Sequence, residues 1–535
     1  IFLVKEGKVV PLDFWVKKEE EQKKDSIKKD LSTKKEEVRA WSLANLISEF
    51  EKEIKLPEIK DVKKRVYKIF DLLGEGKKAI IIAEKAKAAL AISKALGKFS
   101  KRAIKTRWGT VQVYDVSMNR RFFTIIPLRG HITEYTTIKK FSGRWEESDP
   151  RELINEESLI KMISERHIAE ALRREANKAD LMIIATDADE EGANIGLEAY
   201  EIVKNIKEMP AVQMWFISLN SGELKKAFLQ PIEPRWEWAY AVKARRIIDA
   251  IIGFSATREL TVHFRDHISK LGIRVFSIGR VQTPTLYLLY LRENEIRKFR
   301  PKPYWTISVE LRINDEIVIA THVESPFWNE ERAFEVYKRI QNAEYAIVEN
   351  VSEDIETVLP PTPLNTTKAL VMINRILGLS AKKAMKILED LYLSGLITYP
   401  RTDTDKYPHE YNHVDNIKIL SKSSAFGRYA DKILQTEVRL YRNGSKLIGD
   451  HLPITPIDVA EKEDTRFSTN NHWLIYELIV RRYLSLFFPP AKLTKGKVEL
   501  SINGEKFVFH YTRIREMGFL EVYYYTKPQK IKRNK

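Results

Sequence analysis

The sequence predicts an α/β domain joined to separate helical and β-rich domains, and three observations predict it. Two short apolar runs, KAIIIA at 78–83 and LMIIAT at 181–186, each lead through a polar or acidic turn into a helical stretch. That is the pattern of parallel strands buried on both faces. Segments 304–322, 344–353 and 496–525 instead alternate apolar and polar residues, the period of a half-buried strand. At 535 residues the chain is too long for one core, so several domains are expected.

Taken in order, residues 1–76 stand apart as an N-terminal extension. Residues 17–38 are almost wholly charged and polar, as a solvated helix or linker is. Apolar patches at 1–16 and 38–56, with Trp15 and Trp41, suggest a small docking segment, and the lack of an initial Met suggests a fragment of something longer. The α/β domain is expected over 77–225, its strands followed by helices at 86–96 and 193–203. A helical domain should cover 226–300, and a β-rich domain should be split between 301–360 and 488–535. Residues 361–487 form a further domain: a helical stretch at 365–395 capped by Thr366 or Thr367, a polar segment at 403–443 and a helix at 473–487. No internal repeat is visible.

Composition narrows the function. The 91 Lys+Arg against 74 Asp+Glu give a net charge of +17, suited to a polyanion such as nucleic acid, bound with counterion release. A Lys- and Glu-rich solubility surface would give the same surplus, and charge alone does not separate the two. Abundant Lys, Glu and Ile is also a hyperthermophile's habit. Without cysteine there is no disulfide, thiol nucleophile or Cys-ligated zinc, and the ten His are scattered without an HExxH motif. No apolar run approaches the ~18 residues of a membrane span, and the first ten residues are too short and too charged for a signal peptide. No GxxxxGK[ST] phosphate loop occurs, so ATP hydrolysis by that route is not expected.

Three constellations carry chemistry. Asp187-Ala188-Asp189-Glu190-Glu191-Gly192 sets carboxylates at i, i+2 and i+4 just past a strand, where α/β sheets place ligands and where Mg²⁺ finds oxygen donors. An acidic loop capping the next helix reads equally well. Glu84-Lys85 ends the other strand, on what should be the same sheet edge, and suits a proton donor beside a phosphate-stabilising cation. Tyr399 is followed by Pro400 and Arg401; a phenol attacking a phosphodiester needs such a cation, although a tyrosine is more often a packing residue.

These segments together resemble the type IA DNA topoisomerases. GLITYPRTDT (395–404) is similar to that family's active-site tyrosine motif, ATDADEEG (185–192) to its Toprim acidic motif, and IIAEKAKA (81–88) to its glutamate-bearing first strand. SIGRVQTPTL (277–286), PPTPLNT (360–366), DHLPITP (450–456), ARRIIDAIIGFSATR (244–258) and Gly130-His131 match in the right order, so the resemblance spans residues 77–525. The wording is nearest the archaeal topoisomerase III branch, with the topoisomerase half of reverse gyrase a near neighbour. Two departures stand out: Glu190 replaces a usual Arg, and nothing after a strand expected at 518–523 corresponds to the second half of the ring-closing domain.

The resemblance implies a four-domain torus, with a Toprim domain at 77–225, a helical DNA-binding arch base at 226–300, a β-rich gate domain and a tyrosine-bearing domain at 361–487. It implies that Tyr399 attacks a phosphate of single-stranded or underwound DNA, leaving a 5′-phosphotyrosine. Glu84 would protonate the leaving 3′ oxygen, Lys85 and Arg401 would stabilise charge, and His451 would position the phosphate or the acids. Asp187, Asp189 and Glu191 would hold Mg²⁺ for resealing, and Arg280 and Gln282 would contact DNA. A separate chain would complete the ring, or a helicase subunit would join in a split reverse gyrase. A cytoplasmic, nucleoid-associated location follows. The alternatives are a Toprim nuclease or primase that does not use Tyr399, and a non-catalytic DNA-binding subunit.

Overall fold

The computed structural model describes residues 64–526, apart from 314–315 and 449–450, together with strands at Phe2–Lys5 and Lys8–Val10. The expected linker at 17–38, the patch at 38–56 with Trp41, Trp15, Asp450 and the basic tail lie outside the described residues.

A six-stranded sheet organises the α/β region, in the order Ala211–Gln213, Leu181–Ala185, Lys78–Ala83, Arg121–Pro127, Gly109–Met118, Phe99–Thr106. The first four are parallel and the last two join antiparallel, so the mostly parallel expectation holds at the centre and ends at one side. The continuous apolar run of Lys78–Ala83 has a simple cause. Ala79, Ile81 and Ala83 face one core, and Ile80 and Ile82 face another; burial on both faces removes polar residues from the period-two pattern. Helices Ala86–Leu96 and Ser221–Leu229 supply the first core, and Arg166–Ala176 and Glu190–Lys204 the second.

The helical region is dominated by Trp236–His263, about 42 Å long at 1.5 Å per residue, which lies along Glu190–Lys204. Helices Arg265–Lys270 and Gln282–Lys298 follow. A second sheet joins Ile347–Val358, Ala491–Ile502, Glu505–Glu516, Glu316–His322 and Ile307–Ile313, so segments far apart in sequence share one core. The chain's first two strands form a hairpin on its edge, with Phe2 opposite Ser308. Among the described residues no helix is long and apolar enough to cross a membrane.

Residues 361–487 hold more helix than their polar composition suggests. The stretch at 365–395 is two helices, Thr366–Leu377 and Ala381–Leu393, parted at Gly378, whose φ of +68° ends the first. Its cap is Asn365, whose side chain accepts from the Lys368 N–H at 2.9 Å, not Thr366 or Thr367. Thr366 is engaged elsewhere, donating to the Pro400 carbonyl and accepting from the Thr402 N–H. The polar segment at 403–443 contains helices His413–Leu420 and Gly427–Leu434, and Asn470–Ser485 runs through the core. The strand expected at 518–523 is instead a 3-10 turn at Gly518–Glu521. Gly518 sits at φ +49° against the Pro489 and Pro490 carbonyls, where a strand cannot continue.

Candidate active site

The acidic edge is built by register. Ala83 and Ala185 are partners on neighbouring parallel strands, so Glu84 and Asp187 leave the sheet at the same carboxyl edge. The next helix begins hard against this edge: a Cβ on Gly192 would come within 2.1 Å of the Asp187 carbonyl oxygen, which requires glycine there. Asp187 is only 1% exposed. Lys85 Nζ donates to Asp187 Oδ2 at 2.8 Å and lies 3.2 Å from Glu84 Oε1. Burial and the charge of Asp187 outweigh Lys85 and push Glu84 up to about 7, so near neutrality it holds a proton much of the time. Burial likewise raises Asp187, against the pull of Lys85. Lys85 itself is raised despite its burial, because Asp187 and Glu84 hold its charge.

Asp189 does two things with two oxygens. Oδ1 accepts from the Gly192 N–H at 2.6 Å and caps the helix, and Oδ2 accepts from the Tyr399 hydroxyl at 2.5 Å. The reading of the acidic motif as a helix cap is therefore realised, and the same side chain also meets Tyr399.

Tyr399 reaches this edge because the chain before it is pinned on both sides. Gly395 turns at φ +72°, Thr398 and Thr455 exchange hydrogen bonds at 2.9 Å, and the Tyr399 N–H donates to the Ile217 carbonyl at 2.8 Å. Glu223 fixes that last acceptor by taking hydrogen bonds from the Ile217 and Ser218 N–H groups, at 2.5 and 3.2 Å. The phenol is 4% exposed, and burial with the charges of Asp189 and Asp187 holds its pKa well above the ordinary tyrosine value. Tyr392, one helix end earlier, is fully buried beside it, its ring 5.1 Å away edge-on, and donates to Asp187 Oδ1 at 3.3 Å. The α/β core and the tyrosine-bearing core are continuous here.

The other expected residues lie around this centre, not in it. Glu191 turns away from Asp187 and Asp189: its carboxylate pairs with His131 at 3.0 Å and with Arg245. Among the described residues no three acidic or histidine side chains converge as a metal-ligand set, so the structure does not bring the expected Asp187, Asp189, Glu191 triad together. The physical reason is helical: Glu191 lies in the first turn of Glu190–Lys204, on the side facing Trp236–His263. Arg401 donates to Glu389 at 2.5 Å, on the preceding helix, and that hydrogen bond raises its pKa. His451 lies in an aromatic niche, stacked on Trp238 at 6.2 Å and edge-on to Trp215 at 6.0 Å. Arg280, in a loop that Thr257 ties to the long helix, forms a two-point ion pair with Asp249, and Gln282, at the start of the next helix, donates to Ser277. Glu190 is exposed, 4.0 Å from Arg245.

Tyr392 and Glu223 are the residues that sequence reasoning misses, since each reads as a core aromatic or an ordinary helix charge. A second cluster goes largely unread as well. His131 bridges Glu191 and Glu198 through its two ring nitrogens, and Arg246 donates to Glu198 and, at 2.7 Å, to the Thr133 carbonyl. The buried Glu198 raises His131 against the ring's own burial. This cluster fixes the long helix to the α/β edge.

Comparison with known proteins agrees with this architecture. A DNA topoisomerase family model matches residues 233–534, more than half of the chain, and a Toprim domain model matches 79–219. DNA topoisomerase 1 of Archaeoglobus fulgidus is 35% identical over 451 residues, covering 84% of this chain and 64% of that protein. DNA topoisomerase 3-beta of Arabidopsis thaliana is 29% identical, covering 83% and 51%. The chain thus spans between half and two-thirds of the length of these relatives. Among solved structures, full-length topoisomerase I from Thermotoga maritima shares the fold, with a TM-score of 0.60 at 22% identity over 85% of this chain and 68% of that one.

Proposed function

The chain belongs to the DNA topoisomerase family, and on that premise we propose that it is a type IA enzyme that cuts one DNA strand through Tyr399 without ATP. The observation that carries the reading is the 2.5 Å hydrogen bond from the Tyr399 phenol to Asp189, which sets a nucleophile from one domain against the acidic edge of another. In the proposed step the Tyr399 oxygen bonds to phosphorus as the bond from phosphorus to the 3′ oxygen breaks. Asp189 takes the phenol proton, and Glu84, raised to about 7 by its surroundings and so partly protonated near neutrality, gives one to the 3′ oxygen. Lys85 stands beside Glu84 to offset charge on the phosphate, and Arg401 would join it by leaving Glu389. His451 would position the phosphate from its niche, and Arg280 and Gln282 would meet the strand along the long helix. Exchange of one phosphodiester for another lets strain in the DNA drive relaxation.

Asp187 and Asp189, crowded carboxylates with Lys85 as their neighbouring cation, suit Mg²⁺. Glu191 would complete the set only after release from Arg245 and His131. When bound there, Mg²⁺ would offset the carboxylate charge and help align the 3′-OH for resealing.

One observation favours a partner. Helix Gln282–Lys298 buries no residue, and Leu286, Tyr287, Leu289 and Tyr290 are all more than half exposed. Apolar surface of this extent calls for a cover. We assign it to a separate chain completing the ring, or to the helicase subunit of a split reverse gyrase. We retain the division into an N-terminal extension (1–76), Toprim (77–225), arch base (226–300), split gate (301–360 and 488–535) and tyrosine-bearing (361–487) domains, acting on DNA in the cytoplasm.

The test incubates the chain with negatively supercoiled plasmid and Mg²⁺, without ATP, beside Tyr399→Phe. Relaxation by the parent alone establishes a self-sufficient enzyme. Adducts on single-stranded DNA without relaxation establish a live cleavage centre that needs its partner. If neither appears, the catalytic reading fails.

A further inference from the structure

A cavity of about 670 Å³ opens on the α/β domain where the tip of one hairpin meets the start of helix Arg166–Ala176. Its lining includes Arg107, Trp108, Lys161, Met162, Arg166 and Arg173. Trp108 is 57% exposed, an unusual state for so large an apolar ring, and the Arg166 guanidinium lies 4.7 Å from its centre. The acidic groups nearby are already engaged. Glu170 accepts from the Arg107 N–H at 3.0 Å and pairs with Arg174, and Lys161 donates to Glu201 at 2.6 Å. Among the described residues the guanidiniums of Arg107, Arg166 and Arg173 have no carboxylate partner. An open indole ringed by free guanidiniums is the combination that stacks a base and holds the phosphates beside it.

Topology relates this pocket to the cleavage centre. Strand Phe99–Thr106 is separated from Arg121–Pro127 by two antiparallel pairings, so it runs in the same direction as Lys78–Ala83. Its end, and with it Arg107 and Trp108, falls at the same carboxyl edge as Glu84. Three strand spacings, about 14 Å, part the two strands sideways, and because Ala103 is the residue level with Ala83, the hairpin tip stands a few residues further out along its strand. That is within reach of a strand already lying across Tyr399.

We propose that this pocket is a second holding site for the single DNA strand, stacking a base on Trp108 and engaging phosphates through Arg107, Arg166 and Arg173. It rests on the type IA reading and adds to it a contact outside the cleavage centre. The strand would be gripped at two points of one sheet edge, which keeps a cut end in place while the gate moves.

The test measures binding of fluorescein-labelled oligodeoxythymidine to the Tyr399→Phe chain, which cannot cleave. One strand of about 4 nucleotides extends no more than about two nucleotides, roughly 12 Å, to either side of Tyr399 and fills the cleft alone, and one of about 24 also reaches the pocket. Trp108→Ala with Arg173→Ala should weaken the long strand about tenfold or more and leave the short strand unchanged. Trp108→Phe, which keeps a stacking ring, should restore most of the loss. The slope of log affinity against log salt for the long strand should fall by about 0.7 for the cation removed. Unchanged long-strand affinity, or an equal loss for both lengths, overturns the proposal. Cleavage of the short strand by the Tyr399-bearing chain is scored separately. If it is absent the type IA reading fails, while the length dependence still decides the pocket.

Discussion

Asp189 spends one oxygen on its own helix and the other on a tyrosine 210 residues away, so a side chain that orders the fold also holds the nucleophile. Glu84 is placed by the same edge but differs in charge state: burial and Asp187 keep it near pH 7 as an acid able to donate. Glu84→Gln keeps the shape and removes the transferable proton. Cleavage of a single-stranded oligonucleotide should slow by about a hundredfold to ten-thousandfold, the range of general acid catalysis, with binding unchanged. Single-turnover adduct formation checks this, and a change below about threefold would remove Glu84 as the acid. At this scale the sequence was informative where chemistry depends on position along the chain. Glu84, Asp187 and Tyr399 follow strand ends or a Gly turn and were legible. Tyr392 was not, because its role comes from a contact 205 residues away that no local spacing encodes, and Glu223 was not, because its local hydrogen bonds matter only through the Ile217 carbonyl that meets Tyr399 from the other domain. Glu191 misled for a different reason: residues at i, i+2 and i+4 project to one side only while the chain stays extended, and here the helix starts at Glu190.

Elements were legible in proportion to how completely they are buried. KAIIIA reads as a strand because both faces meet cores, and its bounds match the structure. The helices within 403–443 are short and largely polar, held in place by the surrounding aromatic core, and a pattern of charges does not announce them. One element carries a pH-dependent tie. Glu175, near the end of helix Arg166–Ala176, accepts from Lys78 Nζ at 2.6 Å and Arg102 at 3.2 Å, with Lys178 at 3.4 Å, and so binds the helix to two strands. Burial opposes its charge, but Lys78 and Arg102 prevail and lower it to about 2 from an ordinary 4.5. A carboxylate depressed on folding stabilises fully above its unfolded pKa and loses that contribution as pH falls from about 4.5 towards 2. Glu175→Gln should therefore cost on the order of 2 kcal/mol near neutral pH, and the gap to the parent should narrow through that acid window. Urea titrations at pH 7 and pH 3 read the difference; a gap independent of pH would mean that packing, not charge, makes the tie.

At the scale of the whole molecule the Toprim edge and the tyrosine-bearing region share one core, which on the proposed reading is a closed gate. If the chain passes a strand as proposed, that seam must part. Among the described residues the hydrogen bonds across it include Tyr399 to Asp189, the Tyr399 N–H to the Ile217 carbonyl, and Tyr392 to Asp187, with the His451 ring against Trp215 beside them. Tyr392 takes no part in the proposed bond changes, so its hydroxyl acts as a latch that can be removed without touching the nucleophile. A buried hydrogen bond contributes roughly 0.5–1.5 kcal/mol net, so Tyr392→Phe should raise the ratio of open to closed molecules about two- to tenfold. The absence of cysteine makes the measurement clean, since Lys94→Cys and Lys382→Cys, both exposed, would be the chain's only two labelling sites for a fluorescent pair spanning the seam. Tyr399→Phe removes the shorter bond and should open the gate further, and the double change further still. If Tyr392→Phe leaves the distance distribution unaltered while Tyr399→Phe broadens it, the nucleophile alone holds the seam, and cleavage itself would be the event that releases the gate.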